Sequence, residues 1–436
     1  MTVRPFLRAL VPAALALLST SVAACGAPSS DDGADQGNDA ITSNDGKVLD
    51  FTFKGEVVAE GTSTARQAVV TQLAYTQGIF TTKDRGNGQV GQVVLSGVTE
   101  SAVVSGKKTI KYTAQLPVIW PKDGTAVPTA YDLPLPKDVT KLDAFNRKYD
   151  GKCGNNEYGL DTFWHDYNPK AEGCTIDDAD VTRSSATVKR FAGETTGKFP
   201  EYDQMWKDDE LDVVAVFGLI SGSVDSDSDP GVGEYNRFVS GSKGLLTGAT
   251  TKSNTKTASV LRDTTITGKV SMGGRQKTVK IDVLLVHEVK SVGADFDTRY
   301  DPISEKADLI MYNGHAGLGK NVNALARKGK VTAGKYQLVL LNGCQTFAYI
   351  DTTMNDRRIE ANGATNDPKG TRYMDVVANA LPGYTNNLTD MSMTILRAST
   401  KLDAPAVPKT FNDLMKEMPE IHLVAVFGEE DNKFRP

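Results

Sequence analysis

The sequence has no excess of positive charge, no long apolar run beyond its N-terminal segment, and only four cysteines in 436 residues. Each shortage excludes something. With 49 Lys and Arg against 54 Asp and Glu the net charge is −5, which argues against a nucleic-acid partner, since such binders carry a basic excess. One short apolar stretch at the N-terminus cannot make a membrane-spanning transporter. A hydrophobic content of 39% and a charged content of 24% fit a globular protein and exclude a disordered chain or a collagen-like fibre. The length exceeds one ordinary domain, so two folded units plus an appendage are expected.

The appendage lies at the N-terminus. Arg4 and Arg8 flank the start of an apolar stretch, Ala9 to Leu18, that is too short to cross a bilayer. It ends in Ser21-Val22-Ala23-Ala24-Cys25. Small residues before a cysteine resemble the lipobox of bacterial lipoproteins, with Val22 where that motif usually has Leu. The resemblance implies a signal peptide over residues 1–24 and lipidation of Cys25. It also implies attachment to a lipid bilayer and an extracytoplasmic place in a bacterial cell envelope. Cleavage after Ala24 without lipidation is the alternative. Residues 26–47 are rich in Ser, Asp, Gly and Asn and have almost nothing to bury, so residues 25–47 read as a lipidated Cys and a flexible acidic tether.

The remaining cysteines divide by compartment. Cys153 and Cys174 enclose a polar, aromatic-dotted loop, and an exported chain sits where disulfides persist. Closing that loop stabilises by about 3 kcal/mol in the chain-entropy account. Cys344 is left over, either as a reactive thiol or as a small buried hydrophobe.

Residues 48–200 read as an α+β unit. Phe51–Val58, Val93–Leu95 and Lys111–Trp120 suit strands. Val69, Val70, Leu73 and Ala74 suit a helix capped by Ser63, and Val139, Leu142 and Phe145 a second. The run Asp161 to Asp166, with His165, reads as a loop feature, because one histidine beside common acids makes a poor metal site. Residues 205–436 read differently. Leu211–Leu219, Ile281–Val286, Asp308–Tyr312, Tyr336–Leu341 and His422–Phe427 are near-continuous apolar runs, the mark of strands buried on both faces. Helical spacing appears at Val322, Leu325 and Ala326, at Tyr373, Val376, Val377, Ala380 and Leu381, and at Phe411, Leu414 and Met415. Strands alternating with helices predict an α/β unit with a mainly parallel sheet flanked by helices. The pentapeptide VAVFG, at 214–218 and 424–428, marks two similar buried strands.

The chemistry concentrates between Ala307 and Ala348. One predicted strand ends in Asn313-Gly314-His315-Ala316-Gly317 and the next in Asn342-Gly343-Cys344-Gln345-Thr346. The 29 positions from His315 to Cys344 are about one strand–helix–strand unit. A right-handed crossover puts both strand ends on the edge where open α/β sheets bind ligands. An imidazole and an unpaired thiol in one crevice suit a nucleophile with a proton shuttle.

These two blocks resemble the caspase-like (clan CD) cysteine peptidases, a group that includes caspases, gingipains, clostripain, legumain and the CHAT-domain peptidases. The stretch LVLLNGCQT is similar to the gingipain and CHAT cysteine strand, and the resemblance spans roughly residues 205–436. It implies Cys344 as nucleophile and His315 as general base and acid. The backbone N–H groups of Ala316 and Cys344 would form the oxyanion hole, and Gly314, Gly317 and Gly343 the supporting turns. A protein or peptide would be the substrate. The family usually has Gly directly after the histidine, where this chain has Ala316. The rival reading is a non-catalytic surface lipoprotein that uses the scaffold to bind a protein or glycan. A third is a small-molecule binder with Cys344 in its core.

Other candidates are weighed beside these. Gly314 to Asn321 nearly matches a phosphate-binding loop, but Asn321 replaces the Ser/Thr that would ligate magnesium, so no nucleotide is expected. Asp225, Asp227 and Asp229 alternate as in calcium loops, but Pro230 and Asn236 break the pattern. No metal site is assigned and no cofactor expected, with calcium the one option left open by the family. Asp297, Asp301, Asp351 and Asp356 are candidate specificity acids. Residues 351–370, with Arg357 and Arg358, suit a rim loop, a self-cleavage site or, equally, plain surface, and His287 and His422 read as structural.

Overall fold

The first unit's strands carry β-branched and aromatic residues such as Phe51, Val57, Ile110 and Trp120, and they pair as a sheet. The computed structural model describes residues 41–43, 46–81, 87–121, 126–222, 225–383, 385–403, 406–419 and 423–436. The signal segment, Cys25, most of the tether and His422 lie outside the described residues. The chain is mixed α/β, with two sheets.

The first strand, β1 (Ile41–Ser43), is followed by β2 (Gly46–Glu60), β3 (Asn87–Gly88), β4 (Val94–Glu100), β5 (Lys107–Pro121), β6 (Ala130–Pro136) and β7 (Val181–Arg190). Strands β2 to β7 form an antiparallel sheet in the order β3-β5-β2-β7-β6, with β4 on β5. Helices α1 (Ala65–Leu73), α2 (Tyr75–Thr81) and α3 (Leu142–Tyr149) belong to this region. Thr64, one place beyond the expected Ser63, caps α1 by accepting from the Gln67 N–H. Cys153 and Cys174 form the expected disulfide.

The second sheet uses β8 (Glu210–Gly218), β9 (Thr247–Ser253), β10 (Arg262–Met272), β11 (Arg275–Val286), β12 (Leu309–Asn313), β13 (Gln337–Asn342), β14 (Met374–Asn379) and β15 (Val424–Phe427). Its order is β1-β15-β14-β13-β12-β8-β11-β10-β9. The five central strands, β11-β8-β12-β13-β14, are parallel, and both flanks are antiparallel. The sheet is therefore mixed where a mainly parallel one was expected. Ile281–Val286 is the end of a hairpin strand that turns at Gly273 and Gly274, both at positive φ.

Helices α4 (Tyr202–Met205), α5 (Pro230–Leu245), α9 (Leu388–Thr400) and α10 (Phe411–Glu417) bury Met205, Phe238, Ile395 and Phe411 with Val213, Ala215 and Leu340 from one face of this sheet. On the other face, α6 (Ala294–Ser304), α7 (Lys320–Ala326) and α8 (Thr353–Asn362) cover Val214, Ile310 and Val339. That second core runs without a break into the first sheet, through Phe51, Leu116 and Trp164. Burial on both faces is why β8, β12 and β13 read as continuous apolar runs.

Three expectations are corrected. The helix expected over Tyr373 to Leu381 is strand β14, every residue of it buried; a short doubly buried strand and a helix share the same apolar spacing. The tether was expected to reach residue 47, but Ile41–Ser43 pairs with β15 and Gly46–Lys47 begins β2. Ile41 is buried, so its burial offsets the ordering of that short stretch. The rim loop expected at 351–370 contains α8. There Arg357 donates to the carbonyls of Ala326, Lys328 and Gly329, and buried Arg358 donates to Gln337 Oε1. Both arginines are thus tied to neighbouring chain within a helix rather than carried on an open loop.

At the end of the sheet opposite the strand ends discussed below, Asp375 is fully enclosed and accepts from Tyr336 and from Asn432 Nδ2. Burial pushes its carboxyl up to about 7, and the acids Glu201 and Glu430 add to the shift. The folded chain thus binds this proton more tightly than the unfolded one, so the associated stability is full below about pH 4 and is lost as pH rises through about 7. Asp375→Asn keeps the acceptor and removes the titration. It is expected to exceed the wild type by roughly 2–4 kcal/mol at pH 8 and to lose that advantage at pH 4. Urea midpoints of both proteins at the two pH values check this, and a pH-independent difference would refute the assignment.

Candidate active site

The site is set by register. Asn313 of β12 pairs with Asn342 of β13, so His315 and Cys344, each two residues further on, occupy equivalent places beyond neighbouring parallel strands. Strands in a sheet are about 4.8 Å apart. The ladder runs one step past the strands, with the Gly314 N–H donating to the Asn342 carbonyl at 3.1 Å. A Cβ on Gly343 would lie 2.4 Å from the Gly314 oxygen and 3.3 Å from the Ala316 nitrogen. The two turns are therefore in backbone contact, which only glycine at 343 permits.

Three buried asparagines lock that register. Asn342 Nδ2 donates to Asn313 Oδ1 at 2.9 Å and to the Leu388 carbonyl at 2.9 Å. Asn379 Nδ2 of β14 donates to Asn342 Oδ1 at 3.1 Å, and the Ser392 hydroxyl donates to Asn313 Oδ1 at 2.8 Å. A slip of one residue would break every one of these bonds and turn the apolar sets inside out.

The histidine is held from several sides. His315 Nε2 lies 3.0 Å from the Ile220 carbonyl at the end of β8. A carbonyl only accepts, so the ring proton resides on Nε2 and Nδ1 keeps its lone pair. The His315 carbonyl accepts from the Tyr312 hydroxyl at 2.5 Å and from Asn321 Nδ2 at 2.8 Å, and Asn321 Oδ1 accepts from the Lys290 N–H. The phosphate-loop look-alike is thus a brace for the histidine turn. Burial pushes the Tyr312 phenol well above its usual range, with Glu288 and Cys344 near enough to add to the shift, so it stays a neutral donor.

Ala316 is buried and lies outside the left-handed region. Among the described residues that region holds only four non-glycines: Ser105, Asp209, Leu318 and Gln345. The glycine requirement falls instead on Gly317, at φ 64°. An alanine after the histidine therefore carries no backbone strain.

Cys344 is half-buried, with its Sγ 3.7 Å from the Gly383 carbonyl. A Cβ on Gly383 would come 3.1 Å from the carbonyl carbon of Gly343, so the segment after β14 walls the cysteine turn. Gln345 follows in the left-handed conformation, at φ 51° and ψ 32°, and its N–H donates to the Leu381 carbonyl at 3.1 Å. Two of the four strained non-glycine residues, Leu318 and Gln345, thus sit on the two turns of this crevice, a placement typical of functional sites.

Sequence reasoning missed several contributors. The run Asp161 to Asp166 is no surface loop: Leu160–His165 is a 3-10 helix with Phe163 and Trp164 buried. His165 reaches Gln345 across the chain, Nε2 to Oε1 at 3.1 Å. Ile220, Asn321, Asn379 and Gly383 were also unforeseen, because each acts through a backbone group or a long-range bond.

The remaining candidates have other occupations. Asp229 caps α5, while Asp225 and Asp227 pair with Arg262. Asp297 pairs with Lys328 and Asp351 with Arg327, Asp301 lies within α6, and Asp356 accepts from the Thr352 hydroxyl. The carbonyl of His287 packs near Gly218. Among the described residues no group of three or more His, Cys, Asp or Glu is placed to hold a metal ion, and no helix is long and apolar enough to cross a membrane.

The asparagine ladder predicts that Asn342→Ala strands the Asn379 amide and the Leu388 carbonyl without partners, costing about 2–4 kcal/mol by denaturant titration. Lys320→Ala, on the exposed start of α7, should cost less than about 0.5 kcal/mol; equal losses would remove the ladder from the account. Compared with known proteins, the chain matches no family model, no curated protein and no solved structure, so what the crevice does has to be argued from its geometry.

Proposed function

We propose that this chain is a membrane-tethered, extracytoplasmic cysteine peptidase on a caspase-like scaffold, with Cys344 as nucleophile and His315 as base. The observation that carries this reading is the in-register placement of the two turns, with the His315 tautomer fixed by the Ile220 carbonyl. The unprotonated Nδ1 takes the thiol proton as Sγ attacks the scissile carbonyl carbon. The developing oxyanion accepts from the backbone N–H groups of Cys344 and Ala316. The tetrahedral intermediate collapses as the amine leaves with the proton from His315, which yields a thioester. Water, deprotonated by the same imidazole, then hydrolyses the thioester and frees the thiol. No step calls for a metal or an organic cofactor. The lipid at Cys25, proposed from the sequence, would keep this chemistry beside a bilayer.

The test is the alkylation rate of Cys344 by iodoacetamide against pH, on the full-length chain, read by mass spectrometry of the peptide that carries it. A thiolate that titrates below the unperturbed value of about 8.5, and a His315→Ala variant slowed about tenfold or more at pH 7, are expected. An unshifted profile that ignores His315 would leave the scaffold a binding protein rather than an enzyme.

A further inference from the structure

The chain segment before β7 contributes to the crevice in a way the dyad alone does not use. We propose that His165 is a positioning residue that acts through Gln345, so that the segment Leu160–Asp166 clamps the turn presenting Cys344. This rests on the reading of Cys344 as the nucleophile.

Gln345 is the residue next to the cysteine, and its left-handed backbone is one a β-carbon disfavours. Such a conformation persists only where its surroundings over-determine it. Here the anchors are visible. The backbone N–H is bonded to Leu381, the side chain is buried, and Oε1 accepts from His165 Nε2 at 3.1 Å and, more distantly, from the Tyr349 hydroxyl at 3.5 Å. His165 is itself fixed. Its Nδ1 lies 3.1 Å from Asp166 Oδ1, and the rings of Tyr158 and Trp164 stand edge-on to it, each at 5.9 Å. Both ring nitrogens thus face oxygen atoms, and a ring set between Tyr158 and Trp164 cannot swing away from Gln345 without giving up those contacts. Trp164 also meets Tyr349, from the 3-10 turn that follows Gln345, edge to face at 6.5 Å. The clamp is therefore a side-chain bond reinforced by an aromatic contact between Trp164, next to His165, and Tyr349, four residues beyond Gln345.

With His165 removed, Gln345 loses the shorter of its two side-chain anchors and the strained turn relaxes. Cys344, one bond away, then shifts against Gly343 and Gly383, and its thiol leaves the place where the imidazole can serve it. His165 touches no reacting atom in this account.

The experiment measures Cys344 alkylation by iodoacetamide at pH 7 on the full-length chain for five variants. His165→Ala removes the donor, Gln345→Leu removes the acceptor while keeping the bulk, and the double variant combines them. His165→Gln restores an N–H that can donate to Gln345, and His315→Ala reports the dyad. Each of the first two is expected to slow alkylation about tenfold, the double variant no further, and His165→Gln to recover most of the rate, because partners in one bond show coupled effects. That coupling separates positioning from general damage to the fold, whose effects would multiply. Should His165→Ala fail to fold, Gln345→Leu against His165→Gln decides the matter.

Unchanged rates in both single variants, or effects that multiply in the double, overturn the clamp. The dyad fails separately: if His315→Ala leaves the rate unchanged while His165→Ala lowers it, the clamp stands and the base assignment falls. The reverse pattern removes the clamp and keeps the base.

Discussion

Everything at the crevice depends on one constraint, the pairing of β12 and β13 with Asn313 opposite Asn342. Parallel strands buried on both faces have no polar face to fix their alignment, because every residue looks alike to the core. The asparagine ladder supplies what apolar packing cannot. Amide-to-amide bonds are satisfied at one register and broken at all others, and being buried they cannot be exchanged for water. The ladder lies at the last residue of each of three strands, so it also sets the level at which the two turns begin. Gly314 and Gly343 then follow in contact, and His315 and Cys344 come to equal depth without any direct bond having to be strong.

The same strand ends explain why Ala316 is tolerated after the histidine. A turn of this kind has to place some residues at positive φ, and which ones depends on where it reverses. Here the reversal falls on Gly317, Leu318 and Gly319 at φ 64°, 48° and 86°, leading into α7, while Ala316 packs inward at 1% exposure. The load is displaced by one residue rather than absent. Leu318 bears part of it despite its side chain, which the brace from Asn321 to the His315 carbonyl helps to hold.

What could be read beforehand follows from the range of each interaction. The strands β8, β12 and β13 and the placement of His315 and Cys344 on adjoining turns lay in local signals: continuous apolar runs, turn glycines and a separation that fits one crossover. Strand β14 did not, because Val376, Val377 and Ala380 satisfy a helical and a buried-strand spacing equally. Helix α8 was hidden by its composition, since the side chains it buries include Thr353, Asn355 and Arg358, and the last two have partners as distant as Gln92 and Gln337. Helix α9 did carry a signal that went unread: Leu388, Met391, Ile395 and Leu396 recur at helical spacing and are buried. His165 was beyond any local reading, its partner being 180 residues away.

That last contact bears on what counts as a unit in this chain. Reading the sequence by composition suggests two bodies joined near residue 200. The core says otherwise, because the face of the second sheet that carries Val214 and Val339 shares one buried cluster with Phe51 and Leu116 of the first. The chain's earliest described strand, β1, closes the edge of the later sheet rather than its own, with the Ser43 hydroxyl donating to the Val424 carbonyl. A fragment starting near residue 205 would expose that apolar face, leave β15 as an unpaired edge and strip Gln345 of its long-range bond. The first sheet is thus better regarded as part of the wall of the crevice than as a module carried beside it. A scaffold that finishes its site with a distant segment makes the site depend on the whole fold.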